Sequence, residues 1–126
     1  MPYKVFISHS YQDRDLAEKV ADIVRSAQVL EMSFEPREQF SAGVAERLTQ
    51  SNEMIIIVTS DSARNPWLHW EIGLAAGLDK KITSVLKDVN PADIPSPLSS
   101  FQAVKAGSLD QLRRGLAERI TSEANL

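Results

Sequence analysis

The sequence predicts an α/β fold: a doubly wound, five-stranded parallel sheet with helices on both faces. Three observations predict it. Strand-like and helix-like patterns alternate from one end of the chain to the other, as in a parallel sheet wrapped by its crossover helices. Met54 to Val58 (MIIIV) is a continuous apolar run, which a central strand covered on both faces requires. The length of 126 residues is that of one domain, whose core can bury roughly two thirds of the unfolded chain's surface. One domain over residues 1–126 is therefore expected.

The elements follow in order. Tyr3 to Ser8 (YKVFIS) is rich in β-branched and aromatic residues and forms the first strand. Ser10 with Asp13 three residues later has the spacing of a capping box, so a helix starts there. Leu16, Val20, Ile23, Val24 and Ala27 give it one apolar stripe to lay on the sheet. Leu30 to Phe34 is the second strand. Glu35 to Gly43 (EPREQFSAG) has no period and reads as a long loop ahead of a short helix on Val44 and Leu48. After the central strand, Thr59 to Asn65 is polar. Asn65-Pro66 then supplies an N-cap and a first-turn proline for a helix running to Leu78. Ile82 to Leu86 is the fourth strand. Lys87 to Ser100, with three prolines, is a surface loop with at most a turn of helix, and Gln102 to Lys105 is an edge strand. Ser108 with Gln111 resembles a second capping box, and Leu109, Leu112, Leu116 and Ile120 are the stripe of the last helix. The expected arrangement is flavodoxin-like, with strand order 2-1-3-4-5.

Composition narrows the function classes. With no cysteine there is no disulfide framework, thiolate nucleophile or cysteine-based metal site, and two histidines are too few for a His-rich centre; no metal is expected. The net charge of -3 argues against a nucleic-acid surface, which needs lysines and arginines clustered on one face. The longest apolar run is far short of a membrane span, and the chain enters a strand at Tyr3 without a secretion signal. A cytoplasmic protein working away from membranes is the expectation.

In a doubly wound sheet, ligands bind beyond the carboxyl ends of the strands where the order reverses, here between the first and third. The walls of that crevice would be Ser8, His9, Ser10 and Tyr11 on one side and Thr59 to Asn65 on the other, with Arg37, Glu38 and Phe40 of the long loop within reach. Glu71 lies in the second turn of the helix after the third strand. Helical side chains tilt toward the N-terminus, so its carboxylate would point at the crevice, with Trp67 four residues earlier on the same face. A phosphate-accepting receiver domain would need acidic residues where Ser8-His9-Ser10 and Thr59-Ser60 stand. The glycine-rich loops of dinucleotide and P-loop sites are missing. A triad of Ser10, His9 and Asp61 can be drawn, but without a G-x-S-x-G elbow its serine and histidine are more simply turn and cap residues.

These residues resemble a TIR (Toll/interleukin-1 receptor) domain of the bacterial type. Lys4 to Ser10 (KVFISHS) resembles the family's first-strand box, Glu35 to Gly43 its BB loop, and Ser51 to Ser60 (SNEMIIIVTS) its third-strand box. Asn65 to Glu71 (NPWLHWE) contains the W-x-x-x-E pattern as Trp67 and Glu71, and Asp93 to Leu98 looks like the turn before the family's last strand. The chain departs from the family in the BB loop, where Ala42-Gly43 stands for the usual Pro-Gly and Arg37-Glu38 for the usual Arg-Asp.

The resemblance implies one of two activities. Many bacterial members cleave NAD+ at the nicotinamide–ribose bond, giving ADP-ribose or a cyclic isomer, with NAD+ as substrate and no cofactor. Many animal members only assemble with other TIR domains. For the first activity Glu71 would be the catalytic carboxylate and Trp67 an apolar wall. Ser8, His9, Ser10 and Tyr11 would line the substrate, and Arg37, Glu38 and Phe40 would approach it from the loop, Arg37 toward the pyrophosphate. A single carboxylate suffices, because nicotinamide leaves as a neutral pyridine and needs no general acid, unlike the alkoxide of an O-glycoside. Each residue also has a plainer reading: Trp67 as packing, Glu71 as a solvated charge or a capping partner, Ser10 as a cap, Arg37 as a loop charge and Phe40 as a loop anchor. A third activity, nucleoside deoxyribosyl transfer, also places a glutamate at a ribose.

Overall fold

The computed structural model describes residues 3–27, 31–36, 42–94 and 102–124. Five strands are joined to four α-helices: β1 (Lys4–His9), α1 (Arg14–Ser26), β2 (Glu31–Pro36), α2 (Ala42–Gln50), β3 (Glu53–Thr59), α3 (Pro66–Gly77), β4 (Lys81–Lys87), β5 (Gln102–Lys105) and α4 (Leu109–Ala124). Every strand pair is parallel, and the order is β2-β1-β3-β4-β5. The chain leaves β1 toward β2 on one side and returns to β3 on the other, so the reversal falls between β1 and β3.

Strand alternation sorts the core into two layers. Val5, Ile7, Ile55, Ile57, Val85 and Val104 face α1 and α4, meeting Leu16, Val20 and Val24 of the first and Leu112 and Leu116 of the second. Phe6, Met54, Ile56, Val58 and Ile82 face the other way, onto Leu48 of α2 and Leu68, Ile72 and Ala75 of α3. All seven residues of β3 are buried, and each isoleucine there contributes about 1.5–3 kcal/mol of burial. The stripes expected on α1 and α4 are the buried ones. α3 has apolar residues all round, because it begins beside the crevice and carries both core and site residues.

Glu53, at the start of β3, is fully buried. Its carboxylate accepts from Arg119 of α4 (Nε to Oε1 2.7 Å, Nη2 to Oε2 3.0 Å), from Tyr3 Oη and, at 3.4 Å, from Thr83 Oγ1. Burial foremost, and the Glu53 charge after it, push the Tyr3 phenol well above its ordinary pKa. Burial pulls the Arg119 guanidinium down, but its contact with Glu53 outweighs this and raises it. The cluster fastens α4 to the amino edge of the sheet, opposite the crevice.

Several boundaries differ from expectation. The second strand runs to Pro36, because Glu35 and Pro36 continue the parallel register opposite Ser8 and His9. An edge strand tolerates a terminal proline that a central strand would not. Ala42 and Gly43, read as loop, already belong to α2, so the BB-like segment between strand and helix is shorter than expected and its residues 37–41 lie outside the described residues. Leu30 also lies outside them, as does the Pro95–Leu98 part of the later turn. The expected capping box at Ser10 does not form. Tyr11–Asp13 is a 3-10 turn, and the Ser10 hydroxyl donates to Asp13 instead of accepting from the helix. Ser108 closes another such turn, Ala106–Ser108, ahead of α4. Asn65 does cap α3, accepting from Trp67 N at 2.9 Å, with Pro66 following it.

Candidate functional site

The carboxyl edge of the sheet at β1 and β3 is built from short polar side chains. Ser8 follows Phe6 on the α2/α3 face of β1, so alternation aims it at α3. Glu71 is one turn from Leu68 and next to Ile72, which press α3 onto that same face. The two meet: Ser8 Oγ donates to Glu71 Oε1 at 2.8 Å, and only 3% of Glu71 is exposed. Glu71 is thus neither a solvated charge nor a cap. A buried carboxylate is costly unless hydrogen-bonded, and the Ser8 hydroxyl offsets part of that cost. Trp67 is partly buried one turn earlier on α3, and Trp70 is partly buried too.

His9 falls on the opposite row of β1. It is buried, and its Nδ1–H donates to the Ser10 carbonyl at 2.8 Å, since a carbonyl can only accept. Ser10 Oγ donates to Asp13 Oδ2 at 2.9 Å, while Asp61 is exposed, so the drawn Ser-His-Asp triad has no relay geometry. Tyr11 is 57% exposed, beside these groups in sequence but outside their hydrogen-bonding set. Arg37, Glu38 and Phe40 lie outside the described residues.

Sequence reasoning read Asp13 only as half of a cap with Ser10. Buried, it accepts from Ser10 Oγ and from Thr59 Oγ1 (3.1 and 3.2 Å), and Thr59 is the last residue of β3. Ser62 closes the loop after β3, accepting from Thr59 N at 2.9 Å. The crevice floor is therefore clasped: a carboxylate from the turn after β1 holds the end of β3. The Ser10–Asp13 spacing was visible in the sequence, but it fits a cap equally well.

The edge thus presents two buried carboxylates, Glu71 held by Ser8 and Asp13 held by Ser10 and Thr59, with Trp67 one turn before Glu71 on α3 and the loops clasped at the reversal of strand order. Such a set can place a negative charge against a ligand that develops positive charge. Among the described residues it holds no Ser–His–Asp relay.

The TIR domain family model matches residues 5–119. Among similar solved structures is one titled "Structure of the activated Roq1 resistosome directly recognizing the pathogen effector XopQ (TIR domains)". It aligns with a TM-score of 0.59 and 15% identity over 98% of this chain and 84% of that one, a likeness of fold. No curated protein sequence matches the chain. With the family match spanning nearly all of a chain whose W-x-x-x-E pair sits on α3 beside the β1–β3 edge, the chain belongs to the TIR domain family.

Proposed function

We propose that this TIR domain is an NAD+ nucleosidase, working in the cytoplasm as an effector or signal-producing module of a bacterial defence system. The observation that supports it most is Glu71, a carboxylate drawn into the fold at the strand-order reversal and held there by Ser8. The C1′–N bond breaks with its electron pair going to nicotinamide, which leaves neutral. The ribose ring takes up the positive charge, and Glu71 stabilises that charge by its field and by hydrogen bonds to the ribose hydroxyls. Water adding at C1′ and losing a proton gives ADP-ribose; attack by the substrate's own adenine gives a cyclic isomer. On binding, substrate hydroxyls would take the place of Ser8 as donors to Glu71. Ser8 and Trp67 would line the ribose and nicotinamide end, and the loop residues Arg37, Glu38 and Phe40 the rest. His9 and Ser10 support the β1 loop from behind. NAD+ is substrate here, and neither metal nor cofactor enters the reaction.

Incubating concentrated protein with NAD+ should release nicotinamide, and Glu71→Gln should lower release by ~10²–10³. Wild-type turnover in Glu71→Gln would remove Glu71 from the site. A specific observation favours a second reading, a non-catalytic scaffold acting through contacts with other TIR domains: Glu71 already has a partner inside the fold. Absence of both turnover and saturable NAD+ binding would establish that reading instead.

A further inference from the structure

The carboxyl ends of β4 and β5 and the first turns of α1 enclose a half-open cavity of about 720 Å³ that shares no residue with the candidate site. Its volume falls within the range of about 300–1,000 Å³ typical of small-molecule sites. Leu16, Leu86, Val89 and Ile94 give it an apolar lining, and three lysines stand around it: Lys19 on α1, Lys87 ending β4 and Lys105 ending β5. Asp15 and Asp88 complete the charged set, so the lining is net positive on a chain of net charge -3. No ion pair among the described residues uses any of these five groups, although Asp15 and Lys19 are spaced one turn apart on α1. Asp88 has φ 52°, the left-handed region that aspartate tolerates better than most residues, and it turns the chain back beside the strand end.

We propose that this cavity binds a small organic phosphate with a flat apolar body, a mononucleotide in chemical class. Lysines brought together around an apolar surface repel one another, and a compact dianion relieves that repulsion; an ammonium group is an effective point-charge partner for phosphate. The apolar lining takes the flat body. The two aspartates accept from sugar hydroxyl or exocyclic N–H donors held at a distance from the phosphate, an arrangement that inorganic phosphate cannot supply, and they disfavour extended polyanions. The site lies at the ligand-binding end of a parallel sheet, two strands from the reversal. It stands whether or not the nucleosidase reading does.

The test is a titration of the isotope-labelled chain with adenosine 5′-monophosphate, followed by amide chemical shifts, with adenosine and inorganic phosphate as separate probes. Saturable shifts at Lys87–Val89 and Lys105–Gly107 are expected, and weaker binding of either fragment alone. Lys87→Glu combined with Lys105→Glu alters two exposed side chains and should weaken the nucleotide about tenfold or more without moving Tm. Glu71→Ala should leave these shifts intact. No saturable shift by about 10 mM, shifts confined to Ser8–Ser10 and Glu71, or unchanged affinity in the charge-reversed variant would each overturn the proposal.

Discussion

Ser8 and Glu71 are 63 residues apart in sequence and one hydrogen bond apart in space. Helical tilt was enough to aim Glu71 at the crevice; its burial depends on which row of β1 faces α3, and a one-residue shift of register would reverse that row. Trp67 is partly buried, so its two roles separate experimentally. Trp67→Phe should be mild in both stability and nicotinamide release. Trp67→Ala should lower release while costing less than the ~3–5 kcal/mol of a fully buried aromatic, a difference that a thermal melt and an activity assay on the same two variants resolve. Tyr3 gives a pH prediction independent of activity. Its phenol pKa is raised in the folded state, first by burial and then by Glu53. The folded chain therefore keeps a proton that the unfolded chain begins to lose near the ordinary value of about 10, and stability falls as pH rises above that point. Denaturant midpoints measured from neutral pH into the alkaline range should decline more steeply for wild type than for Tyr3→Phe. Parallel declines would show that another group governs the alkaline limb.

Among the elements, long-range clasps were the part least legible in the sequence. Ser10 and Asp13 have the spacing of a capping box, and only the arrival of Thr59 from 46 residues away turns Asp13 into a tie between β1 and β3. Glu53 and Arg119 are 66 residues apart, and no local pattern links them. The stripes of α1 and α4 were legible because each is a local period, and so was the Asn65 cap, whose acceptor and donor lie two residues apart. If Asp13 and Thr59 act as one unit, the double variant Asp13→Asn with Thr59→Val should cost less than the sum of the single variants, with a coupling of about 0.5–3 kcal/mol in equilibrium unfolding. Additive costs would dissolve the clasp. Arg119→Ala should cost more, about 3–5 kcal/mol, because it leaves Glu53 charged, buried and short of its main partner.

For the molecule as a whole, alternation of patterns and the continuous apolar run at β3 led to the parallel sheet, and right-handed crossovers then leave few orders for five strands. The BB-like segment was the hardest to read: it mixes charge, proline and an isolated phenylalanine, and nothing local fixes where β2 stops and α2 starts. That segment bears on the last prediction, which concerns assembly. β2 is an edge strand paired with β1, where the candidate site begins. On the nucleosidase reading, a neighbouring copy seated against that edge would exclude water and strengthen the field of the Glu71 carboxylate. If a neighbouring copy is required, the isolated chain should be nearly inactive when dilute. Nicotinamide release per molecule should therefore rise with protein concentration, or on fusion to an oligomerising partner, and Arg37→Glu should blunt that rise. Specific activity that stays flat across dilution, with light scattering reporting monomer throughout, would sink the assembly requirement even where Glu71 proves catalytic.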